Sequence, residues 1–200
     1  IFLTILSLVC SLPLGVLLAF GRQSKLPLIK SFCAIYIDLI RSIPLISVLF
    51  FGQLLVPLLL PNGIEISRVF RAVLSFTFFT SAYIAEDVRG GLQSIPMSQK
   101  EAAEVLGFTG LQMNTYIIIP QALRIALPSL TNQAVGLLQN TSLMSILGLV
   151  ELLGISRSIL ANPEFIGRYL EVYLWVGVLY WLLCTFISLL ARHLEQILNF

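Results

Sequence analysis

Four consecutive polar residues, Gln139, Asn140, Thr141 and Ser142, stand between apolar neighbours in this 200-residue chain. Their amide and hydroxyl groups supply hydrogen-bond donors and acceptors that suit a zwitterionic ligand. Polar groups inside apolar segments tend to line cavities or paths, so we predict that these four residues bind a ligand. Four consecutive side chains cannot share one helix face, which predicts irregular backbone here. Hydrogen bonding between helices is the alternative interpretation.

A second group of polar side chains is formed by Thr77, Thr80 and Ser81. Their i, i+3, i+4 spacing places them on one face of a helix, so we predict that they belong to the same ligand-binding set. Hydroxyl–backbone bonding within the helix is an equally good interpretation. Asp38 and Arg41, three residues apart, are predicted to form an ion pair within one helix.

Residue sets that are typical of catalysis are missing from the sequence. It has no nucleophile–base set and no Gly-x-x-x-x-Gly-Lys-Ser/Thr loop for phosphate. The widely spaced Cys10, Cys33 and Cys184 form neither a disulfide framework nor a metal-ligand cluster. The basic residues are dispersed, which argues against nucleic acid as a partner. We therefore expect a chain that is not an enzyme and that binds no metal.

The composition is that of a membrane protein. Hydrophobic residues make up 58% of the chain and charged residues 11%, and the mean hydropathy is +0.95. Soluble domains carry about 25% charged residues, and a transmembrane helix needs roughly 20 apolar residues. We predict a single all-α membrane domain, residues 1–200, with about five transmembrane helices in contact with lipid. Because the chain starts inside an apolar run without Met, we expect that an upstream segment is missing.

Five apolar segments are the expected spans: 2–20, 31–60, 69–85, 117–153 and 170–190. Apart from Arg41, which lies within a span, the Lys and Arg residues divide seven to four between the two sides of the membrane that these spans define. Cytoplasmic loops carry the excess of basic residues. The loop after the third span and the C-terminus are therefore predicted to be cytoplasmic.

That loop, residues 98–120, is polar and is predicted to contain two short helices. Ser98 and Glu101 have the spacing of a capping box, so the first helix should begin at Gln99. Gly107 is placed to end it in a left-handed conformation. Thr109 and Gln112 repeat the capping-box spacing, which predicts a second helix from residue 110 to about residue 119, before a proline.

The first of these helices is predicted to dock on a partner. A helix shorter than about 12 residues is marginal in water on its own, and a short helix laid into a groove is a common recognition mode. Ala102 and Ala103 permit close approach of another backbone, and Glu101 and Glu104 offer negative charge to basic residues. An ordinary connector at the membrane surface is the alternative.

The same loop resembles the signature of the permease subunits of bacterial ABC importers. Ile119 stands where that family usually has Leu. The residues that carry the resemblance are Glu101, Ala102, Ala103, Gly107, Ile117, Ile119 and Pro120. Flanking sequences are similar to the polar amino-acid permeases of the EAA-loop, type I family: SAYIAE at 81–86, RGGLQSIP at 89–96, PQALR at 120–124 and TSL at 141–143. Residues 54–62 look most like the general L-amino-acid systems.

The resemblance implies a multi-pass permease of the bacterial inner membrane. It implies a second permease, a different chain being favoured over a second copy. It also implies a periplasmic amino-acid-binding protein and two cytoplasmic ATPase subunits that hold ATP and Mg, with no cofactor in this chain. Glu101, Ala102, Ala103 and Gly107 would then enter a groove on an ATPase subunit, whose closure would switch the permeases from inward-facing to outward-facing.

Relatives often have Lys-Asp where this chain has Gln139 and Asn140. The loss of the acidic group favours neutral amino acids. Alternatively, the pocket of this half is degenerate and the partner permease holds the substrate. Two other functions stay open from the sequence: a gradient-driven channel or secondary transporter of small polar solutes, and a membrane scaffold that transports nothing.

Overall fold

The computed structural model describes residues 1–61 and 65–198, and every regular element in these ranges is helical. The predicted all-α membrane fold is therefore confirmed. Residues 62–64, which include the end of the 54–62 region, lie outside the described residues. The helices are α1 (Phe2–Arg22), α2 (Pro27–Ser42), α3 (Leu45–Phe50), α4 (Val56–Leu59), α5 (Arg68–Gln93), α6 (Met97–Val105), α7 (Gly110–Met113), α8 (Ile119–Asn140), α9 (Leu152–Leu160) and α10 (Tyr169–Leu198).

Two of these helices, α1 and α10, are long and apolar enough to cross a membrane, and α2 with α3 and α4 forms a third candidate across a bend. α5 and α8 have sufficient length but carry more polar residues. The predicted count of about five spans stays a prediction. In α5, Thr77, Thr80 and Ser81 are buried by neighbouring helices, whereas in α8 Ser129, Asn132 and Gln139 are exposed.

The predicted span 31–60 is not a continuous helix. α2 and the segment Leu45–Leu59, which contains α3 and α4, are bent by 103° around Ile43 and Pro44. A proline disfavours the helical conformation of the residue before it, and Ile43 is extended, with φ −97° and ψ 134°. A π-helical turn, Phe51–Leu55, then joins α3 to α4.

The helix predicted to end near Ile119 in fact continues. A π-helical turn, Asn114–Ile118, leads from α7 into α8, and Pro120 lies in the first turn of α8. Proline is tolerated there because the N–H groups of a first turn need no partner within the helix. The prediction of a stop at Pro120 was therefore wrong.

The core of the molecule is built around α5. Ala85, Val88 and Leu92 of this helix are buried together with residues of α1, α2 and α8. α1 and α5 approach closely at Gly15, where an added Cβ would lie 2.5 Å from Ile84 Cγ2. The third apolar segment was predicted to end at residue 85; α5 continues beyond it to Gln93 and carries the partly buried, charged Glu86 and Arg89.

Candidate functional site

The first helix of the 98–120 segment is α6, and it begins earlier than predicted. Pro96 is its N-cap, with φ −58° and ψ 143°, and no side chain caps the helix. Ser98 therefore lies inside the first turn, and the predicted capping box with Glu101 was wrong. The proline fixes the backbone just before Met97, so the chain enters the helix two residues before Gln99.

The end of α6 has the predicted form. Gly107 is left-handed, with φ +79°. The N–H of Phe108 donates to the carbonyl of Ala103 at 3.1 Å, and the N–H of Gly107 donates to that of Glu104 at 3.0 Å. These two bonds form a Schellman motif, which satisfies carbonyls that would otherwise lack partners.

The second helix has the predicted capping box. Gln112 N–H donates to Thr109 Oγ1 at 3.3 Å, and Thr109 N–H donates to Gln112 Oε1 at 2.9 Å. The left-handed Gly107 and this cap together fix the angle between α6 and α7. The turn between the two short helices is thus held by backbone and side-chain hydrogen bonds.

The surface of the segment mixes acidic and apolar side chains. Glu101, Ala102, Glu104 and Gly107 are exposed, whereas Ala103 is 1% exposed and faces the interior of the chain. Large apolar side chains nearby are strongly exposed: Val105 at 88%, Leu106 at 75% and Leu111 at 79%. Apolar groups exposed to this degree require a cover, which for a membrane protein is either lipid or a partner.

The base of the segment is firmly anchored between α5 and α8. Ile95 and Ile118, near its two ends, are both buried in the core. Gln133 Nε2 of α8 donates to Asp87 Oδ2 of α5 at 3.0 Å. Gly91 of α5 lies against the carbonyl of Ala122, and an added Cβ would clash with that oxygen. A displacement of the segment would therefore be transmitted to both helices.

An ion cluster ties the same end of α5 to α1 and α2. Glu86, whose side chain is 14% exposed, accepts from Arg22 at 2.9 Å and from Arg89 at 2.7 Å, and lies 3.5 Å from Arg41. Arg22 also contacts Asp38 at 3.0 Å. The predicted Asp38–Arg41 pair was wrong, because each of the two residues has a partner on another helix.

Sequence reasoning missed this cluster, although part of its signal was present. Glu86 and Arg89 have the i, i+3 spacing of an ion pair on a helix. The contributions of Arg22 and Arg41 depend on how α1, α2 and α5 pack, which no local pattern encodes. Arg41 also stacks over the ring of Tyr83, with its Cζ 5.4 Å from the ring centroid.

The polar cluster at 139–142 has irregular backbone, as predicted. α8 ends at Asn140 and a 3₁₀ turn, Thr141–Ser145, follows. Thr141 is buried and its hydroxyl donates to the carbonyl of Leu138 at 2.6 Å. Gln139 is exposed and its Nε2 lies 3.8 Å from Cys184 Sγ on α10. The four side chains do not all converge on one cavity.

Of these four residues, Thr141 lines a cavity of about 370 Å³, together with Glu151 and Tyr180. Glu151 caps α9 by accepting from the N–H groups of Leu153 at 2.9 Å and Gly154 at 2.8 Å. Tyr180 donates to Glu151 Oε2 at 3.1 Å. The rest of the lining is mostly apolar, so the polar side chains of this cavity are Thr141, Glu151 and Tyr180.

The other predicted residues, Thr77, Thr80 and Ser81, are all buried. Ser81 Oγ donates to the carbonyl of Phe78 at 2.9 Å and lies 3.1 Å from the hydroxyl of Tyr36 on α2. These contacts are with the chain's own helices, as the hydroxyl–backbone interpretation expected for Ser81. Among the described residues, no three His, Cys, Asp or Glu side chains gather where they could hold a metal ion.

Comparison with known proteins assigns the family. The family described as "binding-protein-dependent transport system inner membrane component" matches residues 11–199. The chain belongs to this family. The resemblance to the permease subunits of ABC importers is thereby confirmed, and the protein is a multi-pass component of the bacterial inner membrane.

Among the relatives, the inner membrane amino-acid ABC transporter permease protein YhdY of Escherichia coli K12 is 38% identical over 94% of this chain and 52% of its own length. The glutamate/glutamine/aspartate/asparagine transport system permease protein BztC of Rhodobacter capsulatus is 39% identical over 95% of this chain and 44% of its own length. The chain thus spans about half the length of these two proteins. The glutamate/aspartate import permease protein GltK of Escherichia coli O6:H1 is 34% identical over 97% of this chain and 88% of its own length.

Solved structures show the same fold. The crystal structure of an amino acid ABC transporter with histidines superposes with a TM-score of 0.84 at 29% identity, covering 97% of this chain and 88% of that one. An inward-facing structure of the MetNI methionine ABC transporter gives a TM-score of 0.76 at 21% identity, with coverage of 98% and 89%. The second likeness concerns the fold alone.

Proposed function

We propose that this chain is the permease subunit of an ATP-driven ABC importer that moves amino acids from a periplasmic binding protein into the cytoplasm by alternating access. The observation that carries the proposal is the exposed 98–120 segment on an anchored base, with a Schellman motif after α6 and a capping box before α7, in a chain of the binding-protein-dependent family. The names of YhdY, BztC and GltK support amino acids as the transported class.

The 98–120 segment would couple the permease to a cytoplasmic ATPase. Its exposed Glu101 and Glu104 fit a groove with a basic rim, and the exposed Val105, Leu106 and Leu111 fit an apolar floor. A coupling element must favour one conformation over the other, since equal binding to both shifts nothing. The rigid turn at Gly107 and the anchors at Asp87 and Gly91 support a segment that moves α5 and α8 together.

The partners would be a second permease, preferably a different chain, two ATPase subunits and a periplasmic amino-acid-binding protein. ATP and Mg would be bound by the ATPase subunits, so hydrolysis would not be an activity of this chain. Gln139 and Asn140 carry no charge, which favours neutral amino acids as substrates. Thr141, beside Glu151 and Tyr180, is the best-placed member of the predicted substrate-binding set; Gln139, Asn140, Ser142, Thr77, Thr80 and Ser81 remain candidates.

The test is uptake into proteoliposomes that contain this chain with its partner subunits. Labelled neutral, acidic and basic amino acids are offered with ATP or with a non-hydrolysable analogue, with and without the binding protein. We expect uptake that requires both hydrolysis and the binding protein, with neutral amino acids taken up fastest. Uptake that is indifferent to ATP would contradict the proposal and would favour a gradient-driven carrier.

A further inference from the structure

A cavity of about 610 Å³ lies at the end of α5 that is farthest from the 98–120 segment. Arg68 and Arg71, one helical turn apart, line it together with Glu65, Pro57 and Leu60. The coupling role proposed for the 98–120 segment does not involve these two arginines.

Arg71 lacks an acceptor for part of its guanidinium group. Its Nε is buried and has no hydrogen-bond partner in residues 1–61 and 65–198. Within the same ranges no carboxylate lies within ion-pair distance of Arg68 or Arg71, although Glu65 lines the same cavity. A buried donor without an acceptor costs roughly 1–3 kcal/mol, and more when the group is charged. An acceptor from outside the chain would remove this cost.

The backbone around the two arginines is fixed by side chains. Gln53 Nε2 donates to the carbonyl of Arg68 at 2.9 Å, and Ser75 Oγ donates to that of Arg71 at 2.8 Å. Ser67 caps α5 by accepting from the N–H of Phe70 at 3.3 Å. These bonds fix the backbone from which the two arginine side chains extend.

A second, smaller cavity of about 180 Å³ adjoins the first, because Arg71 and Ile66 line both. Its other walls are largely apolar and include Val48, Phe51 and Leu74. A ligand that extends from one cavity into the other would place an anionic group beside the arginines and an apolar group between α3 and α5.

We propose that Arg68 and Arg71 form a binding site for an anionic oxygen group that is attached to an apolar chain. The planar guanidinium group binds carboxylate or phosphate with paired hydrogen bonds. Two sources would supply such a ligand: an amino acid with an apolar side chain, through its carboxylate, and an anionic membrane lipid, through its phosphate. The site is independent of the coupling role proposed for the 98–120 segment.

The experiment measures how fast phenylglyoxal, which reacts with arginine, modifies Arg71 in the assembled transporter, by mass spectrometry of peptides. The transporter is held in nanodiscs of phosphatidylcholine alone, the same nanodiscs with L-leucine or with isopentylamine, or nanodiscs that also contain phosphatidylglycerol. Isopentylamine is L-leucine without its carboxylate. The exposed Arg157 serves as the internal reference.

Slower modification of Arg71 with L-leucine, but not with isopentylamine, supports the site and identifies the amino acid as its source. Slower modification in phosphatidylglycerol without added amino acid supports the site and identifies the lipid. In either case the rate at Arg157 should not change. Equal rates at Arg71 under all conditions would overturn the proposal.

A variant gives a second measure of the same site. In Arg71→Gln, the amount of the protecting ligand that halves the modification of Arg68 should rise about tenfold or more, because one charge-assisted pair of hydrogen bonds is lost. The control Arg157→Gln removes the same charge outside the cavity and should leave that amount unchanged. Equal behaviour of the two variants would contradict a role for Arg71. Because the chemical modification uses the unaltered protein, the test does not depend on the folding of the variant.

Discussion

The arginines at the two ends of α5 differ in whether they have a carboxylate partner. At the end that carries the 98–120 segment, Arg22, Arg41 and Arg89 all contact Glu86. At the other end, Arg68 and Arg71 line an open cavity without a carboxylate partner in the described residues. Charges that hold a structure together are satisfied inside the chain, whereas charges that await a ligand are not. The first end joins α1, α2 and α5 through ion pairs, and the second is the binding site proposed above.

The largest effect on stability is expected from Glu86→Gln, which disrupts the ion cluster at the end of α5 that carries the 98–120 segment. The substitution removes the carboxylate charge that three arginines contact, and hydrogen bonds to charged groups contribute roughly 1.5–3 kcal/mol each. We expect a clear drop in the thermal unfolding temperature of the purified complex. Glu164→Gln, an exposed site, is the control, and an equal small effect of both would show that the cluster is not structural.

A wedge between α5 and α8 should have the next largest effect. In Gly91→Ala the new Cβ meets the carbonyl of Ala122, and overpacking of this kind costs roughly 1–3 kcal/mol. Gly90→Ala, at the neighbouring position, places its Cβ more than 4 Å from any neighbouring atom of residues 1–61 and 65–198. We expect Gly91→Ala to lower both stability and uptake in the proteoliposome assay, while Gly90→Ala leaves both intact. If Gly90→Ala proved the more harmful, close contact of the two helices would not be what anchors the segment.

A smaller effect on stability, but a specific one on coupling, is expected from Gly107→Ala. A left-handed residue with a Cβ costs roughly 1–2 kcal/mol, which loosens the turn between α6 and α7. Gly110→Ala is matched to it, because Gly110 has free space and no positive φ. ATP hydrolysed per amino acid transported should rise in Gly107→Ala alone. The same ratio in both variants would exclude a mechanical role for the left-handed turn.

The smallest effect on stability is expected at the other end of α5, where Arg68 and Arg71 line the cavity. Arg71→Gln removes a charge without an acid partner in the described residues and a buried Nε–H without an acceptor, so the free energy of unfolding without ligand should not fall. Arg22→Gln, which removes a paired charge, should cost more. Unfolding temperatures of the two variants sharpen the comparison of the two ends. A larger fall in unfolding temperature for Arg71→Gln than for Arg22→Gln would contradict the difference between the two ends.

Features that depend on a few neighbouring residues could be predicted from the sequence. Gly107 is left-handed, and Thr109 with Gln112 forms a capping box, because each involves backbone and side chains within one turn. The capping box at Ser98 failed for an equally local reason. Pro96 is the N-cap, so the helix begins before Ser98, and the capping-box pattern does not take a preceding proline into account.

Features that depend on packing could not be predicted. Asp38 and Arg41 have the right spacing for a pair, yet α1 and α5 offer each of them a better partner. Sequence spacing places Gln139 and Thr141 in one cluster, but the turn at the end of α8 sends them to different surroundings. The cavity of Arg68 and Arg71 also forms only when two helices separated by a loop come together.

The most direct test of the proposed function is the ratio of ATP hydrolysed to amino acid taken up by the reconstituted transporter carrying Glu101→Ala. Coupling free energies between sites usually correspond to factors of about 5–150. We predict that uptake falls at least about fivefold, so that this ratio rises. The permease should stay in the membrane, and the control Glu164→Ala should transport normally. Normal uptake at a normal ratio in Glu101→Ala would contradict the assignment of the 98–120 segment as the coupling element.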